Sequence, residues 1–140
     1  MNAPLPATVL VNYFGAVATL TMLQPLLSGS DAPRAVAVTS IASLQPHDDH
    51  LLQACLHGHE AAALRRAEEL VNAGKGYQIY STSKRALAQW IRREAPSATW
   101  AGASIPLNAI APGVVLTPML RTWCVSKRAV HNSPHRCRCR

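Results

Sequence analysis

Tyr80 and Lys84 are the residues of this chain best suited to proton chemistry. They stand four apart on a stretch that reads as a helix, so their side chains share one face. A free tyrosine, with a pKa of about 10, is a poor general base at neutral pH. A neighbouring ammonium favours the phenolate and lowers that value. Together the two make a proton donor and acceptor for interconverting an alcohol and a carbonyl. The spacing also arises by chance, and an incidental pair on a surface helix is the plain alternative. Ser40 follows the valine-rich run 35–38, which reads as a buried strand. The carboxyl ends of strands are where open α/β sheets bind ligands. The Ser40 hydroxyl there could hydrogen-bond a substrate oxygen, or serve only as a helix or turn cap. Asn12 is polar within an apolar helix; once buried, its amide needs a backbone or water partner. A structural hydrogen bond is the simpler role for it.

The elements that must position these residues follow from periodicity. Residues 8–27 have a broad apolar face and predict a helix, closed by Pro25 and the loop Ser28-Gly29-Ser30-Asp31. Residues 45–49 predict a loop and 51–56 a short helix. Residues 60–72, rich in Ala, Leu, Arg and Glu, predict a clear helix ended by Gly74-Lys75-Gly76. A further helix is expected from near Tyr80 to just before Pro96. Residues 104–111 read as a strand closed by Pro112-Gly113, and Thr117-Pro118 as a helix start. Helices alternating with strands imply a parallel α/β sheet covered on both faces. Only two strands are visible, which is too few for a stable layer.

Composition narrows the class. At 49% hydrophobic and 5% aromatic, the chain is globular with an aliphatic core. The net charge of +7 is uneven: residues from Arg121 onward hold six of the fourteen basic side chains and no acidic one. The body before them carries eight basic against seven acidic residues. The basic character therefore belongs to the tail, and since arginine-rich ends are often merely solvated, no nucleic-acid role is expected. Cys55 stands alone in the body, while Cys124, Cys137 and Cys139 lie in the tail, so no disulfide framework is expected and a cytoplasmic location is. His131, His135, Cys137 and Cys139 lack a second cysteine pair, and no metal site is expected. No apolar run is read as reaching the roughly 18 residues of a membrane span, because Asn12 interrupts 8–20. No basic region precedes that stretch, so a secretory signal is not expected either.

Four blocks, in order, resemble the short-chain dehydrogenase/reductase family: Asn12-Tyr13-Phe14-Gly15; Thr39-Ser40-Ile41-Ala42-Ser43; Tyr80-Ser81-Thr82-Ser83-Lys84; and Asn108-Ala109-Ile110-Ala111-Pro112-Gly113 with Thr117-Pro118. They cover residues 10–120 and look most like the bacterial 3α-hydroxysteroid dehydrogenase/carbonyl reductase type, which shares a long insertion between the serine and tyrosine blocks. The resemblance implies a Rossmann-type doubly wound parallel sheet and hydride transfer between NAD or NADP and a secondary alcohol or ketone, including hydroxysteroids. It implies Tyr80 as general acid/base, and Lys84 as the group that lowers its pKa and binds the cofactor ribose. Tyr80 would also contact the cofactor. Ser40 would orient the substrate carbonyl, and Asn12 would hold a water relaying protons from Lys84. Pro112, Gly113, Val115 and Thr117 would line the nicotinamide end. Tyr77, with Ser81 four residues on, is rejected as the acid/base. The insertion 44–78 would border the substrate pocket. In the family, the helices matching 8–27 and 80–95 pack against a second subunit, so a homo-oligomer is expected of the full-length form.

The resemblance also has gaps. The family opens with a strand and a Gly-x-x-x-Gly-x-Gly turn that receives the cofactor pyrophosphate, and nothing of that kind precedes Asn12. About four of the parallel strands that such a sheet implies are missing. The expected organisation is a partial, carboxy-proximal catalytic domain over 1–120, giving an incomplete Rossmann-type sheet, and a basic disordered tail over 121–140. Alone, such a chain is expected to be nearly inactive. The alternative is a non-catalytic remnant that acts through association.

Overall fold

The computed structural model describes residues 5–113. Val115, Thr117, the expected helix start at Thr117-Pro118 and the tail 121–140 lie outside them. The fold is α/β, with helices laid against a small parallel sheet, as expected of an incomplete Rossmann-type layer.

The first helix, α1, runs over Ala7–Leu27 and widens to π geometry across Leu10–Gly15. Such local widening leaves backbone groups out of the regular ladder and is frequent at functional sites; Asn12 sits inside it. Val9 and Tyr13 are buried, whereas the half Ala16–Leu27 buries no residue fully. At 21 residues, α1 is long and apolar enough to cross a membrane. This corrects the reading that no such run exists: two amides and a few hydroxyls do not break a helix that carries no charged side chain. Helices that cover a parallel sheet meet the same criterion.

Strand β1, Ala35–Val38, pairs in parallel with β2, Leu107–Ile110, in the register Ala35↔Leu107 to Val38↔Ile110. Among the described residues these two strands are the whole sheet. β2 is shorter than the expected 104–111. Ser104 turns at φ 59 and Pro106 has only its carbonyl to give, so the strand itself starts at Leu107. The expected burial of β1 is corrected too. Ala35 and Ala37 are buried, but Val36 and Val38 are 56% and 55% exposed. The sheet is covered on one face only among the described residues, although parallel sheets bury both.

Beyond β1 lie a single 3₁₀ turn, Ile41–Leu44, and a helical hairpin: α2, Asp49–Leu56, and α3, Glu60–Asn72. Each of these helices stops in the same way. Gly58 and Gly74 take positive φ, and the following residues, His59 and Lys75, donate back to Ala54 O and Leu70 O at 2.9 and 2.7 Å. α2 starts two residues before the expected 51 because Asp48 caps it, accepting from Leu51 N at 2.8 Å.

The longest helix after α1 is α4, Tyr77–Glu94, which ends before Pro96 as its sequence requires. It begins three residues earlier than expected, since the carbonyls of Lys75 and Gly76 already accept from Gln78 N and Ile79 N. Tyr80 therefore lies within the helix rather than at its start. Small residues on the inner side of α4, Ser81, Thr82, Ser83 and Ala86, are buried and let the hairpin, α1 and the sheet approach closely. Ile79, Leu87, Trp90 and Ile91 join Leu51, Leu70, Trp100 and Ile105 in one core.

Candidate active site

The site is built where α4 passes the carboxyl end of β1. Lys84 Nζ donates to Val38 O at 2.9 Å and lies 6.0 Å from the centre of the Tyr80 ring. The helical spacing stacks the two side chains, and the reach of lysine places the cation both at the strand's end and near the phenol. Desolvation by burial holds the Lys84 ammonium below its usual pKa. Tyr80 is 45% exposed, so its ring opens to solvent. Tyr13, in contrast, is buried, and that burial pushes its phenol up to about 12, which rules it out as a proton exchanger near neutrality. Tyr77 is exposed at the start of α4.

Ser40 lies two residues beyond the last residue of β1, at the same end of the sheet. Its Oγ accepts from Ala42 N at 3.2 Å and caps the 3₁₀ turn, so the capping role considered from the sequence is present. A hydroxyl that accepts keeps its own hydrogen to donate, and capping does not exclude contact with a substrate oxygen. The end of β2 arrives beside it. Thr39 N–H and Thr39 Oγ1 both donate to Ile110 O at 2.8 Å, and Ile41 N–H donates to Pro112 O at 3.1 Å. Pro112 thus lies next to the Ser40 turn, and a side chain at Gly113 would meet nothing within 4 Å.

Asn12 reaches α4 from α1. Its Nδ2 donates to Ser83 Oγ at 3.3 Å, and Ser83 Oγ donates to Tyr80 O at 2.8 Å. The structural hydrogen bond is therefore present, to a neighbour of Lys84. Asn12 and Lys84 also line one groove between α1 and β1. The structure thus gathers Asn12, Ser40, Tyr80, Lys84 and Pro112 around the end of β1.

Sequence reasoning overlooked what holds the hairpin 44–78 against α4. Arg66 clamps the Asp48 carboxylate through two bonds, Nε to Oδ1 at 3.0 Å and Nη2 to Oδ2 at 2.7 Å. Asp48 N–H donates to Thr82 Oγ1 at 3.0 Å, and Ser81 Oγ donates to Pro46 O at 2.7 Å. Both acceptor and donor lie between Tyr80 and Lys84 in sequence. An aspartate just before Leu51 and Leu52 was a legible cap signal; its ion pair, 18 residues away, was not. Asp48→Ala is expected to cost about 2 kcal/mol in urea unfolding. About half comes from the cap and about half from a partly exposed ion pair.

Hydrogen bonding from Arg66 holds the Asp48 carboxyl below the usual carboxylate range. A depressed folded value means the stabilisation is full above the unfolded carboxylate value, about 3.9. It is lost as pH falls through the lower folded value. Asp48→Asn should therefore flatten the stability-versus-pH curve below about pH 4 and leave its slope at neutral pH unaltered.

These residues fit one end of a nicotinamide cofactor. An ammonium, a phenol and a proline-glycine turn converge where a ribose and ring could lie, at the carboxyl ends of two parallel strands. For the pyrophosphate, the described residues supply no glycine-rich turn leading from a strand into a helix.

No protein-family model matches this chain. It is 37% identical over 114 residues to the 3-alpha-hydroxysteroid dehydrogenase/carbonyl reductase of Comamonas testosteroni, a match covering 81% of this chain and 44% of that protein. Its fold is similar to the crystal structure of the 3-alpha-hydroxysteroid dehydrogenase from Pseudomonas sp. B-0831 complexed with NADH. The TM-score is 0.76 at 39% identity, covering 87% of this chain and 47% of that one. The chain thus spans about half the length of the relatives it matches. Over the region matched, this chain is similar in sequence and in fold to 3-alpha-hydroxysteroid dehydrogenases.

Proposed function

We propose that this chain carries the proton-transfer and substrate-orienting part of an NAD(P)-dependent short-chain dehydrogenase/reductase that interconverts a secondary alcohol, such as a hydroxysteroid, and a ketone. The observation that carries this reading is the Lys84 ammonium at the end of β1, 2.9 Å from Val38 O and 6.0 Å from the Tyr80 ring centre. When bound, the nicotinamide supplies or accepts the hydride. Tyr80 Oη gives its proton to the ketone oxygen in reduction and takes it back in oxidation. Lys84, 6.0 Å from the centre of that ring, offers donors to a ribose. Ser40 donates its free hydrogen to the same substrate oxygen. Asn12, anchored on Ser83, holds a water on the Lys84 side through which the proton is replenished. Pro112 and Gly113, together with Val115 and Thr117 beyond the described residues, line the nicotinamide. The reading implies a soluble, cytoplasmic protein, in keeping with Cys55, which among the described residues is a buried free thiol.

With no pyrophosphate anchor among the described residues, turnover by this chain alone is expected to be slight. A second reading, a non-catalytic piece acting by association, draws on the unburied half of α1 and the open sheet face. Titration of NADH, followed by its fluorescence, separates the two. Saturable binding that Lys84→Met weakens at least about tenfold supports the enzyme reading. No binding at millimolar NADH supports association alone, and sedimentation would then show a homo-oligomer.

A further inference from the structure

Two successive residues of α4 hold the chain where it leaves β1. Lys84 Nζ donates to Val38 O at 2.9 Å, and Arg85 donates from Nη1 to Ser43 O at 3.2 Å. These carbonyls stand on either side of Ser40. Between them the turn closes on itself: Ser43 N–H donates to Ser40 O at 3.0 Å, and Ala42 N–H to Ser40 Oγ at 3.2 Å. Ile41 N–H, which donates to Pro112 O, joins the turn to the end of β2 rather than to α4. The next bond to the helix, from Ser81 Oγ to Pro46 O, lies beyond the turn. In the proposed reaction the hydroxyls of Ser40 and Tyr80 address one substrate oxygen, yet they sit on different elements. Their separation is set by whatever ties the turn to the helix.

Of the two ties, Lys84 has a second task, since it offers donors to a ribose. Arg85 has no such task. It is half-buried, meets no carboxylate among the described residues, and its Nε is buried without a partner. A guanidinium that stabilises this fold makes more bonds: Arg66 makes three, to two carboxylates. One bond to a carbonyl gains little net stability, and a buried unpaired N–H offsets it. Folding energy does not account for the place of Arg85, whereas the place of its bond does.

We propose that Arg85 is a positioning residue: its bond to Ser43 O fixes the Ser40 turn against α4, and so holds the Ser40 hydroxyl where it and Tyr80 reach the same substrate oxygen. It acts through Ser40 and touches no substrate. When Lys84 turns to a ribose, Arg85 remains as the tie at the turn. The inference rests on the roles proposed for Ser40 and Tyr80 and adds the residue that keeps them in register.

Arg85→Met keeps a long apolar stem and removes the donors. Arg85→Lys keeps donors, and a single bond to a carbonyl is one that an ammonium can also make. In the 140-residue chain, Arg85→Met should quicken amide exchange at Ala42 and Ser43 roughly fivefold or more, with exchange within α2 and α3 unaltered. Its urea midpoint should move by less than about 0.2 M. Arg85→Lys should restore most of the protection. With a cyclic ketone and NADH, Arg85→Met should lower kcat about tenfold and leave NADH affinity unaltered. Placed on Ser40→Ala it should lower kcat no further, because the hydroxyl it positions is gone.

Unaltered exchange at Ala42 and Ser43 overturns the tie. Exchange that quickens across the whole chain, or that lysine does not restore, assigns Arg85 to general stability and also overturns it. A further loss of kcat on the Ser40→Ala background overturns action through Ser40. Exchange is read without cofactor or ketone. A chain that reduces no ketone therefore overturns the enzyme reading, while exchange still upholds or overturns the tie.

Discussion

Tyr80→Phe is expected to lower ketone reduction by about 10²–10⁴-fold while NADH affinity changes less than about twofold. The substitution keeps the ring, its place on α4 and its contact with Lys84, and removes only the exchangeable proton. Turnover is to be read with the chain at high concentration, using a cyclic ketone and NADH. Survival of the activity would show that Tyr80 is not the acid/base. A parallel loss of NADH binding would show instead that its hydroxyl serves the cofactor. Ser40→Ala should cost less, about 10–10²-fold, because a single neutral hydrogen bond to the substrate oxygen is lost. The Ala42 N–H that Ser40 caps also loses its partner, so the stability of that variant must be measured beside its rate.

Trp100→Ala should destabilise the fold by about 4 kcal/mol in urea unfolding, a large share of the roughly 5–15 kcal/mol that holds a domain together. Trp100 is 2% exposed and lies in the turn between α4 and β2. Its carbonyl accepts from Ile105 N at 2.9 Å and from Ala103 N at 3.2 Å, so side chain and backbone together aim the chain into the sheet. Ile105, fully buried, precedes Pro106, whose carbonyl opens the ladder to Ala35. Emptying the indole site removes the packing that sets this register. The Ile110–Pro112 segment that meets Thr39 and Ile41 should then lose order first. Hydrogen exchange at Thr39 and Ile41 should consequently rise more than exchange within α2 and α3. Equal increases across the chain would instead show that β2 is not locally anchored by Trp100.

Exposure of β1 and the span-like composition of α1 share one cause. Valines at alternate positions are suited to a sheet buried on both faces, and α1 to a helix roofing it. Among the described residues that second cover is absent, so side chains chosen for an interior meet solvent. Composition can say that Val36 and Val38 want burial, but burial is a property of neighbours.

Local rules were sufficient for much of this protein. The stop at Gly74, the stop before Pro96, the span of α3 and the strand at Ala35–Val38 each follow from a few adjacent residues whose backbone preferences decide the matter. The Tyr80–Lys84 pairing was legible for the same reason, since four residues of helix bring any two side chains to one face. Only tertiary structure could bring Lys84 to Val38 O across 46 positions, Asn12 to Ser83 across 71, or Arg66 to Asp48 across a hairpin. Such contacts depend on how elements pack in three dimensions, which no local spacing encodes. The sequence alone therefore named the candidate groups, and packing decided that Lys84 meets the carbonyl at the end of β1.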